Sequence, residues 1–283
     1  MTFSIVARSD DGESWGVAVA SKFLAVGSAV PAAVAGVGAI ATQADANVAY
    51  KGMALAHLDE GATAEIALER LLEEDEGRDH RQVGIVDVDG GAASHTGPSC
   101  LDWAGGRSGP GYAIQGNVLA GEEVVAAMER SWQGGDPATA LGRRLLAALA
   151  AGDAAGGDKR GRQSAALLVV RDGAGYGGLD DIAVDLRVDD HADPVGELAR
   201  LLDLNDLYLT ASTEEEKEPV TADLGAELEE RARALGHADF QAWVGTENYE
   251  MRVAADGSWV DRRVLEIIRA AGATGSETGE AVR

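Results

Sequence analysis

The chain has 283 residues, of which 46% are hydrophobic, enough for one large domain or for a domain with a small appendage. It carries 48 acidic residues against 24 lysines and arginines, which gives a formal net charge of −24 at pH 7. Nucleic acid is a poor partner for such a chain, because phosphate binding needs a basic face. No stretch approaches the roughly 20 apolar residues of a membrane span, so we expect no membrane partner.

Cysteine content and the start of the chain predict a compartment. Cys100 is the single cysteine, which excludes an internal disulfide and fits a reducing environment. The chain opens on Met-Thr-Phe without a basic-then-apolar leader, so we expect a cytoplasmic protein. Because self-repulsion between so many like charges needs screening, we interpret the acidity as adaptation to a high-salt cytoplasm. An ordinary acidic protein is the alternative.

The first seventy residues change from a strand pattern to a helix pattern. Thr2–Arg8 and Trp15–Ser21 predict two strands around a turn, and apolar runs between residues 26 and 43 predict further tightly turned strands. From Val48 the apolar spacing predicts two helices separated by a glycine, the second with a start signal at Thr63.

Blocks of strands and blocks of helices then follow each other. The predicted elements, in chain order, are strands at residues 82–88, 92–96 and 111–117, helices at about Glu122–Ser131 and Ala138–Ala150, strands at 164–171 and 182–188, and a helix from Pro194 through Leu207. This order is not a strict alternation of strand and helix. It therefore predicts an α+β fold, in which layers of helices pack on two largely antiparallel sheets.

The last quarter of the chain reads as a separate module. We predict a first domain over residues 1–209 and a charged, proline-containing linker over 210–221. Amphipathic helices with a stop at Gly236 predict a small, mostly helical module over 222–271. The glycine-rich and acidic end, residues 272–283, is predicted to be a disordered tail.

Several stretches in the first 209 residues resemble a prokaryotic family of unknown function that is assigned to the N-terminal-nucleophile (Ntn) hydrolase superfamily. They occur in order and without large gaps, and they include MTFSIVAR, GVAVASKFLAVGSAVP, AGVGAIATQADAN, HTGPSCLDWAGGRSG, YAIQGNVLAG and GDKRGRQSAALLVVR. The resemblance implies a four-layer αββα sandwich. Separately, FQAWVGTENYEMR and DGSWVDRRVLEIIR resemble a peptidoglycan-binding-like module.

The resemblance also implies that Thr2 is a catalytic nucleophile. Removal of Met1 would make Thr2 the first residue, and its own α-amine, with an ordinary pKa near about 8, would then be the general base. A strand that starts at Thr2 would hold the nucleophile in place. We therefore expect a hydrolase that cleaves an amide-type C–N bond in a small amide, an N-acyl compound or a short peptide.

Three more residues are assigned to the catalytic group. Ser21 could hydrogen-bond the amine, and Lys22 could lower the pKa of that amine; a turn serine and a solvated lysine are the alternatives. Proteasome-type relatives carry a lysine where this chain has AVPAAVAG, so that part of the family pattern is absent. Asn117, with loop amides around Gly116, is expected to stabilise the oxyanion, unless it only caps a turn.

Six further polar residues are interpreted as substrate-binding. Arg162, in GDKRGRQS, could hold a substrate carboxylate through two hydrogen bonds, or make a surface ion pair instead. Polar residues that follow buried strands converge on a cleft or cap the next helix. The set comprises Gln43, Asn47, His95, Asp158, Arg162 and Gln163.

Competing interpretations remain open. His95 and Cys100 could form a thiol site, although a glycine and a proline separate them. Acidic residues at 180–181 and 189–193 could bind a cation, but carboxylate clusters arise by chance in so acidic a chain, and we predict no metal and no cofactor. The second class of function is a non-catalytic binding protein that uses the C-terminal module. Assembly into a homo-oligomer is left open.

Overall fold

The computed structural model describes residues 2–271. The chain divides into two compact units, Met1–Leu201 and Leu202–Arg283. In chain order the first unit contains β1 (Thr2–Arg8), β2 (Ser14–Ser21), α1 (Val26–Ala29), β3 (Pro31–Val34), β4 (Gly38–Ala44), α2 (Tyr50–Asp59), α3 (Ala64–Glu73), β5 (Arg81–Asp87), β6 (Ala92–Thr96), β7 (Gly105–Gly109), β8 (Tyr112–Asn117), α4 (Glu123–Gly134), α5 (Leu141–Ala154), β9 (Ser164–Arg171), β10 (Ile182–Val188) and the start of α6 (Pro194–Tyr208).

Two antiparallel sheets form the centre of this unit. The larger sheet has the strand order β10-β9-β2-β1-β8-β7, and the smaller has the order β3-β4-β5-β6. Every neighbouring pair is antiparallel. Strand β1 is therefore an interior strand, and its first residues are held by β2 on one side and by β8 on the other.

Helices cover both sheets. Helices α4 and α5 pack against the larger sheet, α2 and α3 pack against the smaller one, and β1 and β8 face β4 and β5 between the sheets. One apolar cluster lies between the sheets around Val6, Val17 and Val86. A second cluster, around Tyr50 and Leu71, joins α2 and α3 to the smaller sheet. Because β1 and β2 are covered on both faces, their sequences are almost continuously apolar.

The predicted α+β class is confirmed, but some local predictions are wrong. Val26–Ala29 was expected in a strand and forms a short helix, since Ala25 has a left-handed backbone (φ 52°) and the Val26 N–H donates to Ser164 Oγ (3.1 Å). The glycine-rich strand β7 carried no apolar signal and was not predicted. Strand β10 was predicted correctly and is an edge strand, and its first residue, Ile182, is 46% exposed.

The second unit has its own small core. Its elements after the end of α6 are β11 (Lys217–Pro219), α7 (Ala222–Ala234), α8 (Phe240–Glu247), β12 (Trp259–Asp261) and α9 (Arg262–Ala271). Leu228, Trp243 and Ile268 are central to the apolar cluster. The segment 210–221, expected to be a linker, contains strand β11, which pairs with β12.

Some expectations concern other parts of the chain. The predicted disordered tail, residues 272–283, lies outside the described residues, and so does Met1. Within residues 2–271, no helix has both the length and the apolar character needed to cross a membrane.

Candidate active site

Thr2 lies at the start of an interior strand, between two polar neighbours. Its side chain is almost fully buried, and its Oγ1 lies 3.1 Å from the Oγ of Ser21, at the end of β2. On its other side, Thr2 is in register with Asn117, the last residue of β8. The antiparallel pairing of β1 therefore places the start of one strand beside the ends of two others. Thr2, Ser21 and Asn117, all predicted from sequence, are brought together.

Two glutamines of the facing sheet connect to this strand end. The Nε2 group of Gln43, near the end of β4, donates to the Thr2 carbonyl oxygen (3.3 Å) and to Gln82 Oε1 (2.8 Å). The same Gln82 oxygen accepts a hydrogen bond from Asn117 Nδ2 (2.8 Å). Gln82 therefore links a residue of each sheet, and both amides reach into the space between the sheets.

Gln82 has no solvent exposure, and its amide is satisfied at both ends. Its Nε2 group donates to Thr96 Oγ1 (2.9 Å) and to the carbonyl oxygens of Gly116 (2.7 Å) and Gly105 (3.3 Å). A buried amide without partners would cost several kcal/mol, which explains why so many polar groups converge here. We call Thr2, Ser4, Ser21, Gln43, Gln82, Thr96, Gln115 and Asn117 the inter-sheet polar network.

Ser4 and Gln115 extend this network along β1 and β8. Gln115 Nε2 donates to Ser4 Oγ (2.7 Å), and Ser4 Oγ donates to Gln43 Oε1 (2.7 Å). The Gln115 side chain crosses towards the smaller sheet at Gly84, where an added Cβ would lie only 2.1 Å from Gln115 Oε1. A larger residue at position 84 would have to displace the Gln115 amide from its hydrogen bond to Ser4.

A cleft of about 410 Å³ borders this network. Its lining includes the apolar side chains of Ala44, Leu101 and Val118 together with Asn117 and Cys100. Since Asn117 is the register partner of Thr2, the cleft begins one strand away from the Thr2 hydroxyl. Its volume is within the usual range for small-molecule sites, which is roughly 300–1,000 Å³.

Backbone donors after Asn117 are already engaged. The Val118 N–H donates to the Leu101 carbonyl (2.9 Å), and the Leu119 N–H donates to the Trp103 carbonyl (3.0 Å). These are among the loop amides that we expected to share an oxyanion. The side-chain Nδ2 of Asn117 has two N–H groups, and Gln82 Oε1 is the acceptor of one. Asn117 is thus the better donor in this loop.

An ion cluster supports one wall of the cleft. Asp75 accepts hydrogen bonds from Arg81 Nε (2.8 Å) and from the Tyr50 hydroxyl (2.7 Å). Arg81 also donates to the backbone carbonyl of Asp45 (2.6 Å), and Asp45 lines the cleft. The Arg81 hydrogen bond holds the pKa of Asp75 well below its usual range. Burial, followed by the Asp75 interaction, raises the pKa of Tyr50. Asn47, expected to bind substrate, donates to Asp75 and accepts from the Ala49 N–H.

The loop that contains Asp158 fixes the turn after Ser21. Asp158 accepts a hydrogen bond from the Lys22 backbone N–H (2.7 Å) and forms an ion pair with Arg160 (2.9 Å). The Lys22 ammonium group donates to the Arg162 carbonyl (3.3 Å). Asp158 therefore positions the backbone next to Ser21, and the Lys22 side chain bonds to that loop.

Arg162 and Gln163 interact with acidic side chains of the same unit. Arg162 makes a two-point pair with Asp153 through Nε and Nη2, both at 2.8 Å, and this pair raises the pKa of Arg162. Gln163 donates to Asp190 (3.1 Å). The surface ion pair was the alternative that the sequence left open for Arg162.

The geometry gives little support to a thiol or a metal centre. His95 Nε2 lies 3.0 Å from the Arg78 carbonyl, and Cys100 donates to the Arg81 carbonyl. Burial raises the pKa of the Cys100 thiol, which lowers the thiolate fraction that a nucleophile needs. Within residues 2–271, no three histidine, cysteine, aspartate or glutamate residues are grouped so as to hold a metal ion.

Four members of the network were not predicted from sequence. They are Ser4, Gln82, Thr96 and Gln115. The two glutamines lie in strands made mostly of small or apolar residues, as in QVGIVD and YAIQGN. The available signal was the polar side chain itself, because a glutamine inside a buried strand requires a partner of the same kind.

The fold and the network together define an α+β protein with a buried polar centre between two antiparallel sheets. A family described as "Family of unknown function (DUF1028)" matches residues 2–198, and the chain belongs to this family. The crystal structure of protein SPO2555 from Silicibacter pomeroyi, also assigned to DUF1028, is similar, with a TM-score of 0.66 and 32% identity. That match covers 72% of this chain and 86% of the other.

The second unit has a separate relationship. Residues 205–268 match a family described as "Putative peptidoglycan binding domain". This match begins inside α6 and ends inside α9. Comparison with curated proteins gives no match.

Proposed function

We propose that the first unit is an amide hydrolase in which Thr2, exposed as the first residue by removal of Met1, is the nucleophile. The observation that carries the proposal is the position of Thr2 at the start of an interior strand. Its hydroxyl oxygen lies 3.1 Å from the Ser21 hydroxyl oxygen, and Asn117 is its register partner on the other neighbouring strand. The order of helix pair, sheet, sheet and helix pair supports an Ntn-type αββα arrangement.

The proposed reaction needs no group beyond the chain and water. The Thr2 Oγ attacks the carbonyl carbon of the amide, and the hydroxyl proton passes to the Thr2 α-amine. Asn117 Nδ2 donates to the oxyanion of the tetrahedral intermediate. The C–N bond then breaks, the leaving amine takes the proton, and an ester to Thr2 remains. Water hydrolyses this ester, which releases the carboxylic acid and restores Thr2.

A nucleophile substitution tests the proposal. Mature protein should have a mass lower by one methionine residue, and it should hydrolyse members of a panel of simple amides, N-acyl compounds and short peptides. Thr2→Ala should abolish turnover, whereas Thr2→Ser should retain part of it because both the hydroxyl and the amine remain. Retention of Met1 in active protein, or undiminished turnover by Thr2→Ala, would exclude this mechanism.

The alternative is a binding protein in which the second unit recognises a polymer. The match of residues 205–268 to the peptidoglycan-binding description favours it. Sedimentation of the protein with purified peptidoglycan tests this alternative. If the Thr2→Ala protein still sediments with peptidoglycan and the natural sequence shows no turnover, binding would be favoured over catalysis.

A further inference from the structure

We propose that the cleft beside Thr2 accepts the acyl group of the substrate and that this group is apolar and uncharged. The inference rests on the proposed function, since it names the substrate class of the same site. In the proposed reaction the acyl group stays bonded to Thr2 until water releases it. The cleft that borders the neighbours of Thr2 is therefore the part of the site that must fit it.

The cleft wall is apolar where it meets the network. Ala44, Leu101 and Val118 line it next to Asn117, and Leu101 is 66% exposed. Binding of an apolar ligand over a large, exposed apolar side chain is favourable, because it removes apolar surface from water. The expected gain is about 25 cal/mol for each Å² of apolar surface removed from water.

Two arginines on this part of the unit are already paired with acidic side chains. Arg162, which we had expected to bind a substrate carboxylate, forms its two-point pair with Asp153. Arg81 is held between Asp75 and Asp45, with Nη1 3.3 Å from the Asp45 carboxylate. A substrate carboxylate entering the cleft would have to compete with these acidic side chains.

Charge in and around the cleft disfavours an anion further. Asp45 lines the cleft, its side chain is 78% exposed, and the whole chain has a net charge of −24. An anionic acyl group would also lose hydration against Leu101 and Val118. The residues that line the cleft include no lysine or arginine, and His80 is the one basic residue among them. An uncharged apolar group meets neither penalty. The geometry thus points away from an acidic substrate.

Three substrates that share one leaving group separate these alternatives. Hexanoyl, adipoyl and ω-aminohexanoyl nitroanilides have acyl chains with the same number of carbon atoms and differ in terminal charge. We expect kcat/KM for the hexanoyl compound to exceed that for the adipoyl compound by at least tenfold, with the aminohexanoyl compound between them. Leu101→Asp should lower kcat/KM for the hexanoyl compound severalfold, because it places a carboxylate on the apolar wall.

Leu179→Asp is the matched control. Leu179 is 90% exposed and lies on the loop between β9 and β10, so the same substitution there should leave kcat/KM for the hexanoyl compound unchanged. A binding measurement makes the result independent of catalysis. Hexanamide and adipamic acid are titrated calorimetrically into Thr2→Ala, with and without Leu101→Asp.

Each outcome assigns success or failure to one idea. In one outcome no anilide is hydrolysed, hexanamide binds more tightly than adipamic acid, and Leu101→Asp weakens the binding of hexanamide. The hydrolase proposal then fails and the cleft assignment stands. If the adipoyl compound is hydrolysed or bound as well as the hexanoyl compound, the cleft assignment is overturned while the nucleophile remains. Absence of both hydrolysis and binding of the hexanoyl compounds also overturns it.

Discussion

The Thr2 and Ser21 hydroxyl oxygens lie 3.1 Å apart, across the hydrogen-bonded pair β1 and β2, and both side chains are buried. Register fixes this contact, because Phe3 is paired with Ala20 and the preceding residue therefore reaches Ser21. A hydroxyl held in this way has a restricted orientation. In the proposed reaction, Ser21 would thus position the Thr2 oxygen for attack.

Replacement of Ser21 by alanine should slow the chemical step. We expect Ser21→Ala to lower kcat about fivefold with little change in KM, because one neutral hydrogen bond contributes about 1 kcal/mol to orientation. The measurement is steady-state kinetics on the best amide of the panel. The pH profile of kcat should shift, since Ser21 contacts the hydroxyl whose proton the amine receives.

Ser164→Ala is the control for this prediction. Ser164 is the register partner of Ser21 on β9, is equally buried, and bonds to the Phe23 carbonyl and the Val26 N–H. Its loss should lower stability without changing the pH profile. Equal effects of the two substitutions on kcat would show that Ser21 only supports the fold.

Gln82 should be important for both stability and the site. Gln82→Met keeps the approximate volume but removes the acceptor of Gln43 and Asn117 and the donor to Gly116. We expect a loss of about 2–3 kcal/mol in the free energy of unfolding, because buried amide groups are left unpaired. Chemical denaturation measures it.

The partially exposed Gln163 provides the comparison for Gln82. Gln163→Met removes one hydrogen bond to Asp190, at the surface, and should change the free energy of unfolding by less than about 0.5 kcal/mol. If Gln82→Met lowers the free energy of unfolding as little as Gln163→Met does, water or rearranged side chains must satisfy the remaining amides, and the network would not be a buried centre.

The order of strands and helices was predictable because it depends on local patterns. β1, β2, β5 and β9 are runs of apolar residues with turn residues at their ends, and Thr63 accepts the Ile66 N–H as a capping residue should. Val26–Ala29 was not predictable, since the Ser164 hydroxyl that binds its first N–H is 138 positions away in the chain.

The candidate site was predictable only in part, for the same reason. Thr2, Ser21 and Asn117 stand at strand ends, where sequence indicates a cleft. The role of Gln82 depends on its hydrogen bonds to residues of two sheets, which the spacing of residues along the sequence does not reveal. For Arg162 the sequence leaves both a substrate carboxylate and an ion pair open, and its pair with Asp153 depends on a contact between α5 and the loop that follows it.

Acid should weaken the fold partly through Asp75. Its pKa is lowered in the folded state by the Arg81 hydrogen bond, so its contribution to stability is complete well above the unfolded value of about 3.9 and is lost progressively as the pH falls from that value towards the lower folded pKa. Asp75→Asn should therefore be destabilising near pH 7, by about 1–3 kcal/mol. The difference from the natural sequence should shrink as the pH falls towards 3.

Denaturation in urea at several pH values measures the Asp75 effect. Asp172→Asn is the control, because Asp172 is exposed and should behave like the natural sequence at each pH. A difference between Asp75→Asn and the natural sequence that stays constant from pH 7 to 3 would contradict the assignment, since the lost interaction would then not depend on the charge of Asp75.

The second unit depends on one buried ion pair. Arg252 is 2% exposed and Asp261 is not exposed, and Nη1 of the arginine lies 2.8 Å from Oδ2 of the aspartate. Arg252 also donates to the carbonyl oxygens of Asp206 and Leu207, at the end of α6. Burial raises the pKa of Asp261, but hydrogen bonds from Ser212 and Arg252 outweigh it and leave the pKa lowered.

Removal of this arginine should destabilise the second unit strongly. Arg252→Met leaves the Asp261 carboxylate buried without its cation, so we expect a loss of about 3–5 kcal/mol, measured by chemical denaturation of the full chain. The added substitution Asp261→Asn should recover part of that loss, because the uncompensated charge disappears. Arg233→Met breaks a pair with Glu229 whose arginine is 64% exposed, and it should cost less than about 1 kcal/mol. Equal losses from Arg252→Met and Arg233→Met would show that burial adds nothing to the importance of the Arg252 pair.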